Sequence, residues 1–103
     1  VSCCSNAVRG VMGSGAPSAS NLIQYLTIAT LGNAVDFGDS INSNYGKAAM
    51  SSSTRGVFGA NYGPASNDIE YVQIMSTGNA IDFGNLLASR RRTSGCSNGH
   101  GGL

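Results

Sequence analysis

The chain repeats itself at a fixed interval of 46 residues without a gap. Arg9-Gly10-Val11-Met12-Gly13 returns as Arg55-Gly56-Val57-Phe58-Gly59, and Ala19-Ser20-Asn21 returns as Ala65-Ser66-Asn67. Gly32-Asn33-Ala34-Val35-Asp36-Phe37-Gly38 returns as Gly78-Asn79-Ala80-Ile81-Asp82-Phe83-Gly84. Residues 9–54 set against 55–100 share 18 identities in 46 pairs, far more than unrelated Gly/Ser-rich stretches would give. A period of this size marks stacked or radially arranged copies of one supersecondary unit, each leaning on its neighbour for a core. The reading divides the chain into residues 1–8 as a partial strand of a preceding repeat, 9–54 and 55–100 as two repeats, and 101–103 as the start of a further one.

Within a unit the texture is that of four short strands. Lys47 to Ser52 (Thr93 to Asn98 in the next copy) has small residues around one apolar position, suited to a crowded strand. Arg55 to Gly59 is a brief apolar strand bracketed by glycines, which permit tight turns and close backbone approach. Ile69 to Met75 and Ile23 to Ala29 are rich in β-formers and apolar on both faces, with Ile69, Tyr71 and Met75 on one side and Val72 and Ile74 on the other. Such a strand is covered above and below. Ser76-Thr77-Gly78-Asn79 then forms a turn, and the fourth strand is Ala80-Ile81-Asp82-Phe83, closed by Gly84. No helical period of useful length interrupts the pattern, so the fold class is all-β.

Composition narrows the function classes. Charged residues make up 11% of the chain with a net charge of +1, and no basic footprint for nucleic acid is concentrated anywhere. No apolar run approaches the roughly 20 residues of a membrane helix, so no membrane insertion is expected. The sequence begins at Val1, and targeting gives no localisation. Cys3, Cys4 and Cys96 are an odd number, against a closed disulfide framework. Cys4, Met50 and Cys96 are equivalent positions, which reads as a small apolar packing site.

Chemistry-bearing constellations are absent from this reading. Asp36-Phe37-Gly38 and Asp82-Phe83-Gly84 spell a kinase metal-holding triplet, yet no catalytic loop accompanies them. Here Asp is expected to tie down the adjacent turn, Phe to pack between units, and Gly to make the exit. His100 is the only histidine, and no His/Cys/carboxylate cluster suits a metal, so no metal, cofactor or catalytic set is expected. Arg9 and Arg55 recur once per unit as structural partners of a carbonyl or of Asp36 and Asp82, and Tyr25 and Tyr71 recur on the third strand. Candidate ligand contacts are Tyr62, as a sugar-stacking ring in a variable loop, and the charge run Arg90, Arg91 and Arg92, for an acidic polysaccharide or phosphate.

The strand order resembles that of Kelch-type β-propeller blades. Arg55-Gly56-Val57-Phe58-Gly59, Asn67-Asp68-Ile69-Glu70-Tyr71 and the stretch from Ala88 to Arg92 carry the resemblance. The chain departs from the family in having Gly13-Ser14 or Gly59-Ala60 for its Gly-Gly doublet, and in having no Trp. The wording from Ser76 to Leu86 is similar to Kelch-like repeats in predicted structural and tail-fibre proteins of marine bacteriophages. This resemblance implies tandem four-stranded propeller blades, two of them plus an overhang. It also implies a virion or extracellular setting and no enzymatic activity. The implied function is a structural or binding repeat protein that mediates assembly or host-surface attachment. Its partners would be further copies of itself or a longer array, and a host-surface glycan or protein. The alternative is a purely structural extracellular filament or oligomeric propeller with no small ligand.

Two blades cannot close a propeller, whose rings hold roughly four to eight. The 11 residues beyond the second 46-residue period repeat the positions of residues 1–11, so in a ring of identical chains the two segments would compete for one place. The expectation is a fragment of a longer array, or an assembly in which terminal strands are exchanged between chains.

Overall fold

The computed structural model of the chain describes residues 2–13, 20–44, 46–61, 66–90 and 92–98. Eight strands run in chain order: β1 Ser2–Ser5, β2 Arg9–Gly13, β3 Ser20–Thr27, β4 Val35–Asn44, β5 Ala48–Ser51, β6 Arg55–Asn61, β7 Ser66–Gln73 and β8 Ile81–Arg90. They form two four-stranded antiparallel meanders, β1-β2-β3-β4 and β5-β6-β7-β8, and no helix occurs among the described residues. The all-β reading holds. The two sheets form an open stack that does not close on itself.

Register is preserved from one sheet to the next. Cys4 stands opposite Val11 and Val11 opposite Tyr25, as Met50 stands opposite Val57 and Val57 opposite Tyr71. Turn chemistry explains the shared frame. Asn6 Oδ1 accepts from the backbone N–H groups of Val8 and Arg9 at 2.9 and 2.8 Å, closing the β1–β2 turn. Ser52 Oγ does the same for Thr54 and Arg55 at 3.3 and 3.2 Å in the second sheet. Short polar side chains that accept from the backbone two and three residues on make such turns without help from the core.

Several strand boundaries differ from the sequence reading, β6 among them, which runs past Gly59 to Asn61. The fourth strand does not end at Gly84: β8 continues to Arg90, and β4 likewise passes Gly38 to Asn44. Gly38 and Gly84 adopt φ of 153° and 152°, and the register shifts there by one residue against β3 and β7. A bulge at glycine bends the strand without terminating it. At the other edge, β7 begins at Ser66 and stops at Gln73, so Ile74 and Met75 lie in the following turn.

The core lies between the sheets. Val11, Ile23 and Phe37 from the first sheet meet Phe58, Val72 and Ile74 from the second, with Cys4, Tyr25, Ala49 and Ala80 packed at the margin. Alternation along each strand sorts these residues: the first sheet turns its Cys4–Val11–Tyr25 row toward the second, which answers with the opposite face, bearing Gly56, Phe58, Val72 and Ile74. Close approach depends on glycine. The ring of Phe58 lies 3.4 Å from where a Cβ on Gly13 would stand, and the Gly78 carbonyl oxygen lies 2.1 Å from that point on Gly38.

Candidate functional site

The seam between the sheets is built from one face of each, and the faces differ. We call the face of the first sheet that carries Arg9, Val11, Tyr25 and Phe37 the knob face, and the face of the second that carries Gly56, Phe58, Val72 and Ile74 the socket face. Each sheet has both, because the repeat gives each the same alternation. Among the described residues the knob face of the second sheet is covered only along β5, by residues 93–98, and the socket face of the first sheet is uncovered.

Exposure follows this rule residue by residue. Phe37 is 3% exposed in the seam and its repeat counterpart Phe83 is 53% exposed. Val72 and Ile74 are 2% and 0% exposed, whereas their counterparts Leu26 and Ile28 are 36% and 54% exposed. Apolar groups sharing one exposed face are informative in a way that scattered ones are not. Grooves mark both faces: about 220 Å³ lined in part by Met50, Arg55 and Val57, and about 300 Å³ lined in part by Gly10, Met12 and Leu26.

Polar contacts stitch the seam. Arg9 Nη1 donates to the Ile74 carbonyl at 3.1 Å, and its guanidinium lies 4.3 Å from the centre of the Tyr25 ring. Gly78 N–H donates to Phe37 O and Ala80 N–H to Asp39 O, both at 2.8 Å, while Asp39 N–H donates to Asn79 Oδ1 at 3.0 Å. The Gly78-Asn79-Ala80 segment thus lies along β4 as a short added edge. At the centre, Glu70 is buried and bonded to Lys47 and to the Ser40 hydroxyl, and its second oxygen accepts from Ile41 N–H at 2.8 Å. Both oxygens of this carboxylate accept hydrogen bonds and one also meets the Lys47 ammonium, the pairing that makes a buried charge tolerable.

The repeat-specific residues named from sequence are placed as follows. Tyr25 meets Phe37 edge-on at 5.8 Å, and Tyr71 meets Phe83 in the same way at 6.0 Å. Arg55 stacks on Tyr71 at 4.5 Å, as Arg9 does on Tyr25. Thus the outer knob face already holds the side-chain arrangement that the covered one uses. Asp82 Oδ1 accepts from Gly84 N–H at 3.1 Å, steadying the bulge. Cys4 is partly buried, while Cys3 and Cys96 are exposed free thiols. Burial pushes the Cys4 thiol up from 9.0 to about 12, with neighbouring Cys3 adding to the shift.

Of the four ligand candidates, two are among the described residues. Tyr62 and Arg91 lie outside the described residues. Arg90 ends β8 on the surface, and Arg92 follows with a φ of 55°. Among the described residues no cluster of three or more His, Cys, Asp or Glu side chains gathers for a metal, and no helix is long and apolar enough to cross a membrane. Sequence reasoning missed the Glu70–Lys47–Ser40 group. Its signal was a carboxylate at the strand parity of the apolar Val72 and Ile74.

No protein-family model, curated protein or solved structure matches this chain.

Proposed function

We propose that the chain is a non-enzymatic structural repeat protein whose work is assembly through its two outer sheet faces. One observation supports this reading above the others: the outer faces carry the repeat counterparts of the residues buried at the seam, in the same register, and the outer knob face has the same Arg–Tyr–Phe arrangement. A face so composed is stabilised by covering it, at roughly 25 cal/mol for each Å² of apolar surface removed from water. The faces are complementary and different, so copies join head to tail, and such contacts generate rings or filaments. A Kelch-like propeller shared between chains is the closed form. The setting, a virion or tail fibre, rests on the resemblance of the repeat wording.

Sedimentation velocity from micromolar to millimolar concentration tests the reading. Species at multiples of the 10.4 kDa chain that grow with concentration are the expected result. A monomer throughout that range overturns it. Attachment to a host-surface glycan is a separate capacity assigned to Tyr62, Arg90, Arg91 and Arg92. It is checked by saturable binding to immobilised acidic polysaccharides that is lost when the three arginines are replaced by alanine. Assembly without such binding leaves the plain structural filament or ring.

A further inference from the structure

Residues 93–98 form no strand, yet they lie where the first strand of a third sheet belongs. Ser51 Oγ donates to Ser5 O at 2.9 Å across the seam, and Ser97 Oγ donates to Ser51 O at 2.9 Å one repeat later. A Cβ on Gly95 would stand 2.9 Å from Met50 Cε and 3.1 Å from Ala49 O, so the segment is packed against β5. Its sequence also copies β1 and the following turn residue. Ser94, Cys96, Ser97 and Asn98 repeat Ser2, Cys4, Ser5 and Asn6. Residues 94–98 therefore sit in the first-strand position on the knob face of the second sheet, and among the described residues no further strand lies beside them.

We propose that residues 94–98 of one copy serve as the first strand of the next copy's first sheet, whose β2–β4 close over the outer knob face while its own β1 is released. The inference rests on the assembly reading and specifies how two copies join. The pairing follows the β1–β2 register: Ser94 opposite Gly13, Gly95 opposite Met12, Cys96 opposite Val11 and Ser97 opposite Gly10 of the incoming copy. Strand addition of this kind takes its affinity from backbone hydrogen bonds and its specificity from alternate side chains.

The remaining contacts are those of the seam, moved by one repeat. Arg55 donates to Ile28 O of the incoming copy, as Arg9 donates to Ile74 O. Gly32 and Ala34 of the incoming copy donate to Phe83 O and Asn85 O, as Gly78 and Ala80 donate to Phe37 O and Asp39 O. Met12 of the incoming copy packs over Gly59, as Phe58 packs over Gly13.

Two observations select exchange over simple docking with β1 retained. The first is size matching along the first-strand positions. In the seam, Cys4 is followed one repeat later by a row containing Ala49; in the outer position the larger Met50 is met by Gly95. A retained β1 would bring Cys3 to the place of Gly95, and its Cβ would crowd Met50 and the Ala49 carbonyl. The second is Thr93, whose buried hydroxyl has no hydrogen-bond partner. It holds the repeat position of Lys47, whose ammonium reaches Glu70. The incoming copy places Gln24, the counterpart of Glu70, opposite this position.

The two thiols report the exchange. In the monomer Cys4 is shielded and Cys96 is exposed. In the joined state Cys96 takes the shielded place against Gly56, Val72 and Ile74 of the incoming copy, and that copy's Cys4 is set free. Pulsed alkylation of the wild-type assembly and monomer, read by peptide mass spectrometry, is expected to show Cys96 becoming protected and Cys4 becoming reactive.

A complementation pair gives an independent check. Phe83→Asp blocks the outer knob face and Leu26→Asp blocks the outer socket face, so each variant alone stays monomeric. A 1:1 mixture forms a dimer and nothing larger, with protection of Cys96 confined to the isotope-labelled Leu26→Asp copy. Leu31→Asp, at a turn position whose counterpart Thr77 is exposed beside the seam, assembles as wild type does. If either aspartate variant loses its β-sheet circular dichroism, Ile28→Ser and Val57→Ser take their places. Assembly in which Cys4 stays protected and Cys96 reactive overturns the exchange while leaving the assembly reading intact. So does self-association by Phe83→Asp alone. A wild-type chain that stays monomeric overturns both.

Discussion

The Cys4 sulfur occupies the space that a side chain on Gly56 would need, 2.7 Å from the point where its Cβ would stand. Val72 and Ile74 crowd the same point at 3.4 and 3.7 Å. Gly56→Ala therefore overpacks the seam, and we expect a loss of about 1–3 kcal/mol in urea unfolding. Adding Cys4→Ala to that variant should restore part of the loss. Equal and additive costs for the two changes would show that the residues do not share the space.

Lys47 and Glu70 form a buried ion pair in the seam, with Ser40 bonded to both. Lys47→Met leaves the carboxylate buried without its cation, and the expected cost is about 3–5 kcal/mol. Replacing both residues by apolar ones of similar volume, Lys47→Met with Glu70→Leu, should recover most of it. Chemical denaturation of the single and double variants checks this, and a double variant no better than the single one would argue against the pair as the cause.

The pH dependence of stability has a defined sign at Cys4. Its thiol is pushed from 9.0 up to about 12, first by burial and then by Cys3. Between those values the unfolded chain gives up this proton and the folded chain keeps it. The contribution is thus complete below pH 9 and is lost as pH rises toward 12. Thermal melts of wild type and Cys4→Ala over that range should converge with rising pH. In the monomer at pH 8, alkylation should reach exposed Cys3 and Cys96 well before Cys4.

Gly38 and Gly84 share a φ near 152° but differ in surroundings. A methyl group at Gly38 would meet the Gly78 carbonyl, whereas at Gly84 nothing lies within 4 Å. Gly84→Ala is expected to cost only the backbone strain of a positive φ, about 1–3 kcal/mol. Gly38→Ala adds a backbone collision and should part the sheets, seen as a collapse of the urea midpoint. Equal effects at the two sites would mean that strain alone requires these glycines.

Much of the fold was legible because the period fixed the number of units and the turn residues fixed the strands between them. The opposed faces of β7 were readable too: Ile69 and Tyr71 do point away from Val72. Gly38 and Gly84 misled because glycine ends strands and also lets them bulge, and only backbone pairing distinguishes the two. The Glu70 group was not legible because Lys47 is 23 residues away and Ser40 is 30, separations that only the stacked sheets bring together. The faces emerged as the candidate site because exposure differs between equivalent residues. Sequence alone treats Phe37 and Phe83 as the same residue, and folding makes one core and the other surface.

The charged group in the seam has no twin elsewhere. Where the inner contact sets Ser40, Lys47 and Glu70 together, the repeat places Leu86, Thr93 and Gln24 at the outer one. In an assembly of the proposed kind, contacts within a chain and contacts between chains would thus be of unequal toughness, one riveted by ions and one held by grease and backbone. Pulled along its length, a row of these units would come apart at its molecular joints, shedding intact two-sheet pieces before any sheet tears.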